Sequence, residues 1–280
     1  MKKAFNKILA AVAVTLPLSL LGAQTAQAAL ITDWGYVVQS GFVAFAPAGA
    51  IPVGVVGSAS NPGLVDPSST FVPNSTLLSW GTGVSGSSSL GATATVAGTV
   101  ITDGASVPDV TLTHTNNPIN GTTLSTATLL GTLVLTPNLP VVLPSFRAPD
   151  ALINIKFKET DNFGTCAVTS ATPCRDIFVV TNPLALSFSF SLPDAGYDDY
   201  IYTLTLAAIG LGPLSNAACG AAGVANGCQG FTTEEGLVSN LNTRFTITSA
   251  KRIPEPGTMA ILGLGLAGLA MFRRRKGSQA

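Results

Sequence analysis

The chain has 280 residues, only 10% of them charged, and its 14 basic and 14 acidic residues cancel. The neutrality is deceptive: from Ala29 to Ala250 there are thirteen Asp/Glu against five Lys/Arg, a net −8, because the cations gather at the two ends. No Lys or Arg occurs between Ile8 and Phe146, which argues against nucleic acid or anionic lipid as the body's partner, since phosphate contacts need cations.

The elements begin with an export signal. Lys2, Lys3 and Lys7 precede an apolar stretch over residues 8–21. Ala26-Gln27-Ala28 then offers small residues where signal peptidase reads. This predicts a signal peptide over 1–28, cut between Ala28 and Ala29. The apolar core is short for an uncleaved anchor.

The body, 29–252, is long enough for one large domain or two small ones. Helix signals are scarce, and strand signals recur between turn residues. In chain order the candidate strands are 34–45, 93–101, 109–115, 129–135, 151–158, 176–181, 184–192, 200–206 and 243–248. The clearest alternation puts Leu184, Leu186, Phe188, Phe190 and Leu192 on one face. The segments 129–135 and 176–181 read as more fully buried. Residues 46–73 and 210–230 read as long loops. Period-two patterning with one polar face predicts antiparallel pairing, and many short strands predict an all-β, antiparallel β-sandwich.

Four cysteines, Cys166, Cys174, Cys219 and Cys228, lie in the exported part. An oxidising compartment favours disulfides. Local pairing, Cys166 with Cys174 and Cys219 with Cys228, is the expected connectivity of the three that four cysteines allow. Zinc is disfavoured, because no Cys-x-x-Cys is present and the one histidine is far away in sequence.

That histidine, His114, follows Val110 and Leu112 on the inward face of a strand. The run Asn116-Asn117-Pro118 then reads as a turn. A neutral, hydrogen-bonded His locking a corner is the expected role. Catalytic sets are thin: there is no Gly-x-Ser-x-Gly elbow and no phosphate-binding glycine loop before a Lys. Glu159 with Asp161, and Glu234 with Glu235, are candidate carboxylate pairs that read as surface acids. Asp194, Asp198 and Asp199 read as an acidic turn, with calcium binding the alternative. Asn74-Ser75-Thr76 and Asn120-Gly121-Thr122 match the glycosylation acceptor pattern, which by itself decides nothing. No cofactor or metal is expected.

The chain closes on Pro254-Glu255-Pro256, an uncharged run from Gly257 to Phe272, and Arg273-Arg274-Arg275-Lys276. Sixteen helical residues are about 24 Å long, short of a hydrocarbon core of about 30 Å, though snorkelling Arg273 and Lys276 extend the reach. The basic stop stays cytoplasmic, which leaves Glu255 on the far side. Pro254 and Pro256 keep their segment extended, accessible to a processing enzyme. A plain anchor has no use for such a motif. The segment 253–276 therefore reads as a disposable sorting signal, a short hydrophobic helix inserted transiently in the membrane.

Pro254-Glu255-Pro256, the glycine-rich apolar run and the basic stop resemble the PEP-CTERM sorting domain of Gram-negative bacteria. The resemblance implies cleavage by exosortase, a membrane-embedded cysteine transpeptidase-like enzyme, in a bacterium that makes exopolysaccharide. A second resemblance rests on Thr113-His114-Thr115-Asn116, with Trp34-Gly35, Ser79-Trp80-Gly81, Ser88-Ser89-Leu90 and Phe157-Lys158-Glu159-Thr160-Asp161-Asn162. This ordered set is similar to the THxN family of PEP-CTERM proteins, which brings no biochemical activity with it. Thr113, His114 and Asn116 are expected to be structural.

Together these readings predict a non-enzymatic protein, secreted through the inner membrane to the cell surface or extracellular matrix. Its partners are signal peptidase and exosortase, with exopolysaccharide a candidate. The alternative is a glycan-binding module using Trp34, Trp80, Tyr197, Tyr200 or Tyr202. An enzyme acting on polysaccharide through His114 or Glu159 comes third.

Overall fold

The computed structural model describes residues 29–61, 75–140, 145–161, 164–168, 174–182, 187–192, 197–252 and 266. The expected signal peptide, its Ala28–Ala29 cleavage site and nearly all of the sorting segment, including Pro254, Glu255, Pro256, Arg273, Arg274 and Arg275, lie outside these residues. Among the described residues no helix is long and apolar enough to cross a membrane.

The body is nearly all β and antiparallel, as its alternation predicts. Strands run in the order β1 (Asp33–Ala46), β2 (Val56–Ser60), β3 (Ser75–Trp80), β4 (Ser88–Ala92), β5 (Thr95–Ile101), β6 (Val107–Thr115), β7 (Thr126–Leu139), β8 (Phe146–Arg147) and β9 (Ala151–Lys158). They continue as β10 (Asp176–Val180), β11 (Ser187–Leu192), β12 (Tyr197–Ile209) and β13 (Gly212–Pro213), then the helix α1 (Asn216–Ala221), β14 (Gln229–Thr233) and β15 (Val238–Lys251).

Hydrogen bonds join all fifteen into one sheet, with the main path β11-β12-β15-β6-β4-β3-β1-β7-β9-β10-β14-β13. Among the described residues, the join between β3 and β1 is the pair Phe42 with Ser75. The sheet curls so that strands far apart along this path face each other. Trp34 on β1 meets Phe190 and Tyr202, on β11 and β12, edge to face at 5.8 and 5.0 Å. Tyr36 meets Phe245 of β15 at 5.0 Å. Where two separate sheets are expected from the sequence, hydrogen bonding gives one curled sheet around a main apolar core.

Most faces follow from periodicity. On β6, Val110, Leu112 and His114 are buried, and on β9 so are Ile153, Ile155 and Phe157. Outward threonines form a ladder with the asparagines of β15: Thr111 donates to Asn242 Oδ1 at 2.9 Å and Thr113 to Asn240 Oδ1 at 2.8 Å. Every residue of β10 is buried, because one of its faces meets the main core and the other meets α1. Ile177 and Val179 form that second, smaller cluster with Ala218.

The loop expected over 210–230 is therefore a structured excursion carrying β13, α1 and the start of β14. Residues 46–73 likewise contain β2, before an interval outside the described residues. The expected local disulfides form, Cys166–Cys174 and Cys219–Cys228.

Candidate functional site

The segments that carry Trp80, His114, Asn116 and Glu159 converge at one end of the curled sheet. β6 delivers His114 and then Asn116, β3 ends at Trp80, β9 ends beside Glu159, β10 begins with Asp176, and β14 ends at Thr233. Adjacent strand ends, not neighbours in the chain, build the cluster. Asp176 pairs with Thr233 across β10 and β14.

His114 is wholly buried. Its ring is parallel to that of Trp80, 5.7 Å between centroids, and meets Phe157 and Phe178 edge to face. Nδ1 lies 3.0 Å from the Thr233 hydroxyl. Nε2 is buried with no hydrogen-bond partner. Burial pushes the imidazole pKa down to about 3, so the ring is neutral at physiological pH.

Asn116 is also wholly buried. Its backbone closes the turn from β14 to β15: N–H donates to Leu237 O at 3.0 Å, and its carbonyl accepts from Gly236 N at 2.8 Å. Asn117 N–H donates to Ser88 Oγ, and Ser88 Oγ–H returns a bond to Asn117 O, both at 3.0 Å. These contacts explain why a serine at the start of β4 matters to the chain leaving β6.

Three carboxylates meet beside these residues. One oxygen from each of Glu159, Asp176 and Glu235 lies within 4.8 Å of the other two. Trp80 Nε1 donates to Glu159 Oε2 at 3.4 Å, while Glu159 Oε1 is buried without a partner. Asp176 is wholly buried; its Oδ1 accepts from Thr160 N at 2.9 Å, and its Oδ2 is unpartnered. The Asn116 amide faces Asp176 and helps hold its pKa down, yet neither Oδ1 nor Nδ2 closes a hydrogen bond.

Burying like charges together disfavours ionisation. Burial, then the charges of Asp176 and Glu235, push Glu159 up to about 8, against the Trp80 N–H and Lys158. Burial likewise drives Asp176 up to about 7; Thr160 opposes this and Glu235 adds to it.

This corrects the reading of the acids as surface pairs. In each sequence-local pair one member turns inward and the other outward. Glu159 enters the cluster while Asp161 is exposed. Glu235 enters while exposed Glu234 forms an ion pair with Arg175. From the sequence, Asp176 is only the first residue of a buried strand. An acid heading the apolar run from Ile177 to Val180 was the signal available in the sequence. Glu159 also lines a groove with Val84, Pro118, Asn120, Lys158 and Asp161, which opens the cluster's flank to solvent.

The candidate sugar-binding aromatics are mostly interior. Trp34, Trp80 and Tyr202 are wholly buried and Tyr200 is half-buried. Trp34 Nε1 donates to the Thr102 hydroxyl at 2.9 Å. The Tyr202 hydroxyl accepts from Ile31 N at 2.9 Å. The side chains of Tyr197, Asp194 and Asp198 lie outside the described residues; Asp199 accepts at its carbonyl from Arg252 N.

Comparison with curated proteins gives no match. Residues 252–276 match the PEP-CTERM protein-sorting motif, which marks this as an exosortase-sorted chain with an export and cell-surface targeting signal.

Proposed function

We propose that this is a non-enzymatic protein of the bacterial surface or extracellular matrix, associated with exopolysaccharide and processed by exosortase. The carrying observation is the sorting motif beginning at residue 252, directly after β15 ends at Lys251. The signal follows the last strand of a disulfide-stapled β body without a separate domain between them. Two local disulfides fit an oxidising destination. A β-sandwich-like body of the THxN type is part of this reading. Its support is convergence: Trp80, Ser88, His114, Asn116 and Glu159, drawn from separate flagged segments, surround one corner of the fold.

The glycan-binding alternative has less support, because buried Trp34 and Trp80 offer a sugar no flat face. The enzyme reading draws on Glu159, a carboxyl with a raised pKa beside a groove. Against it, glycosidase chemistry needs a sugar between two carboxyls, and the neighbouring Asp176 is wholly buried.

Sorting is tested by replacing Pro254, Glu255 and Pro256 together with alanine in the producing bacterium. Mass spectrometry of the membrane and secreted fractions is expected to show an unprocessed tail retained in the membrane. Processing and release at the original level would overturn the exosortase reading.

A further inference from the structure

Three carboxylates converge at this corner, Asp176 wholly buried and Glu159 and Glu235 half-buried. We infer that Glu159, Asp176 and Glu235, with the Asn116 amide oxygen, form a calcium site reached through the groove beside Glu159. The sorting reading neither requires this site nor depends on it.

Three observations support the site. The first is geometry. Calcium binds oxygen at about 2.4 Å, so two ligands on one ion lie at most about 4.8 Å apart. One oxygen from each of the three carboxylates meets that limit against both others. The second is Asn116, which is not an acid and is wholly buried. Its amide directs the N–H end toward Asp176 without closing a full hydrogen bond, its oxygen is buried with no partner, and a flip of the amide exchanges the two atoms. Buried amides ordinarily find partners, and a cation shared with Asp176 satisfies the oxygen. The third is a set of acceptors left over inside the cluster: Glu159 Oε1 and Asp176 Oδ2 are buried without hydrogen bonds, although the second oxygen of each accepts one.

Donor chemistry selects the ion. All the converging ligand atoms are oxygens, which suits a hard cation. His114 Nδ1 is engaged by Thr233, and His114 is not among the ligand atoms that meet, so a nitrogen-preferring zinc is disfavoured. Waters from the groove can complete the six to eight ligands that calcium takes, with looser geometry than magnesium tolerates. Of the nearby cations, Arg175 pairs with Glu234 and Lys158 is exposed.

Trp80 supplies a specific readout. Its indole N–H sits 3.4 Å from Glu159 Oε2, so terbium bound in place of calcium lies within transfer range of the indole. The test uses the full chain in detergent, stripped with a chelator. Excitation of tryptophan is expected to produce terbium emission that calcium abolishes by competition. Calcium at about a hundredfold excess over its Kd is expected to raise Tm by about 5–10 °C. The double substitution Glu159→Gln/Asp176→Asn is expected to lose both effects while keeping its circular dichroism, because amides remove the repulsion without removing volume. Asp161→Asn, in the exposed neighbour, is expected to keep them. Trp80→Phe is expected to keep the calcium-induced Tm rise and lose the emission. Absence of calcium-dependent stabilisation in the wild-type chain overturns the proposal, as does full retention of it in a folded Glu159→Gln/Asp176→Asn variant.

Discussion

At the residue scale, the corner around His114 depends on backbone that only one residue type tolerates. Gly81 follows Trp80 and has φ +65°. A Cβ there would lie 2.3 Å from Ile119 Cδ1 and 2.8 Å from Ile119 Cβ. The glycine therefore lets the chain turn in a left-handed conformation while Ile119 packs directly over it. Gly81→Ala incurs both the backbone strain and the overlap, about 2–4 kcal/mol together. In thermal unfolding followed by circular dichroism this is expected to lower Tm by roughly 5–10 °C. Gly91→Ala on β4 is the internal control, since its Cβ would meet nothing closer than 3.6 Å, and it is expected to leave Tm within about a degree. Equal losses from the two substitutions would show that Gly81 holds no special place. The same scale shows what was legible beforehand. Inward His114 followed directly from the alternation Val110, Leu112, His114. Burial of Glu159 did not, because local sequence reports which strand face a residue takes but not what covers the strand's end.

At the element scale, β10 is the hinge between the two apolar clusters. Its neighbour α1 has six residues, too few to hold a helix in isolation. Three features compensate. Ser215 Oγ accepts from Ala218 N at 3.1 Å as the N-cap, Ala218 packs against Ile177 and Val179, and Cys219–Cys228 closes the loop. A loop of this length gains about 2–3 kcal/mol from cross-linking by chain entropy. Cys219→Ser/Cys228→Ser is thus expected to remove most of the hydrogen-exchange protection of α1 while β1 and β7 stay protected. Loss of protection spread evenly over the sheet would mean that the excursion folds with the core. The long β strands were readable because their alternation runs for several residues on either side of the irregularities in β1, β7 and β15. β2, β3, β4 and β14 were not: they are five or six residues long, and their Gly, Ser and Thr content is also that of turns. Tertiary pairing decides such segments. The curled closure was likewise beyond local reading, because β6 pairs with β15 from more than a hundred residues away.

At the scale of the whole molecule, the same long-range pairing ties the body to its sorting signal. β15 pairs with β6 over its first half and with β12 as far as Lys251, so the end of the body frays only by breaking the β12 pairing. Arg252 N donates to Asp199 O at 2.7 Å, and the Arg252 guanidinium donates to Ser191 Oγ at 3.1 Å. The matched sorting motif starts at this very residue. From Lys251 to Glu255 the chain spans four residues, at most about 14 Å when extended. With the tail inserted in a bilayer, this end of the sheet is held close to the membrane surface, where a processing enzyme must also approach. Ten flexible Gly/Ser residues inserted between Arg252 and Ile253 add about 15–20 Å of root-mean-square reach. Pulse-chase labelling in the producing bacterium is then expected to show the precursor converted several-fold faster than wild type. An unchanged rate would mean that the enzyme engages the motif without clearance from the body, and that the tight junction places no limit on processing. A slower rate would mean that the folded end itself helps present Glu255, which makes the β12–β15 edge part of the recognised surface.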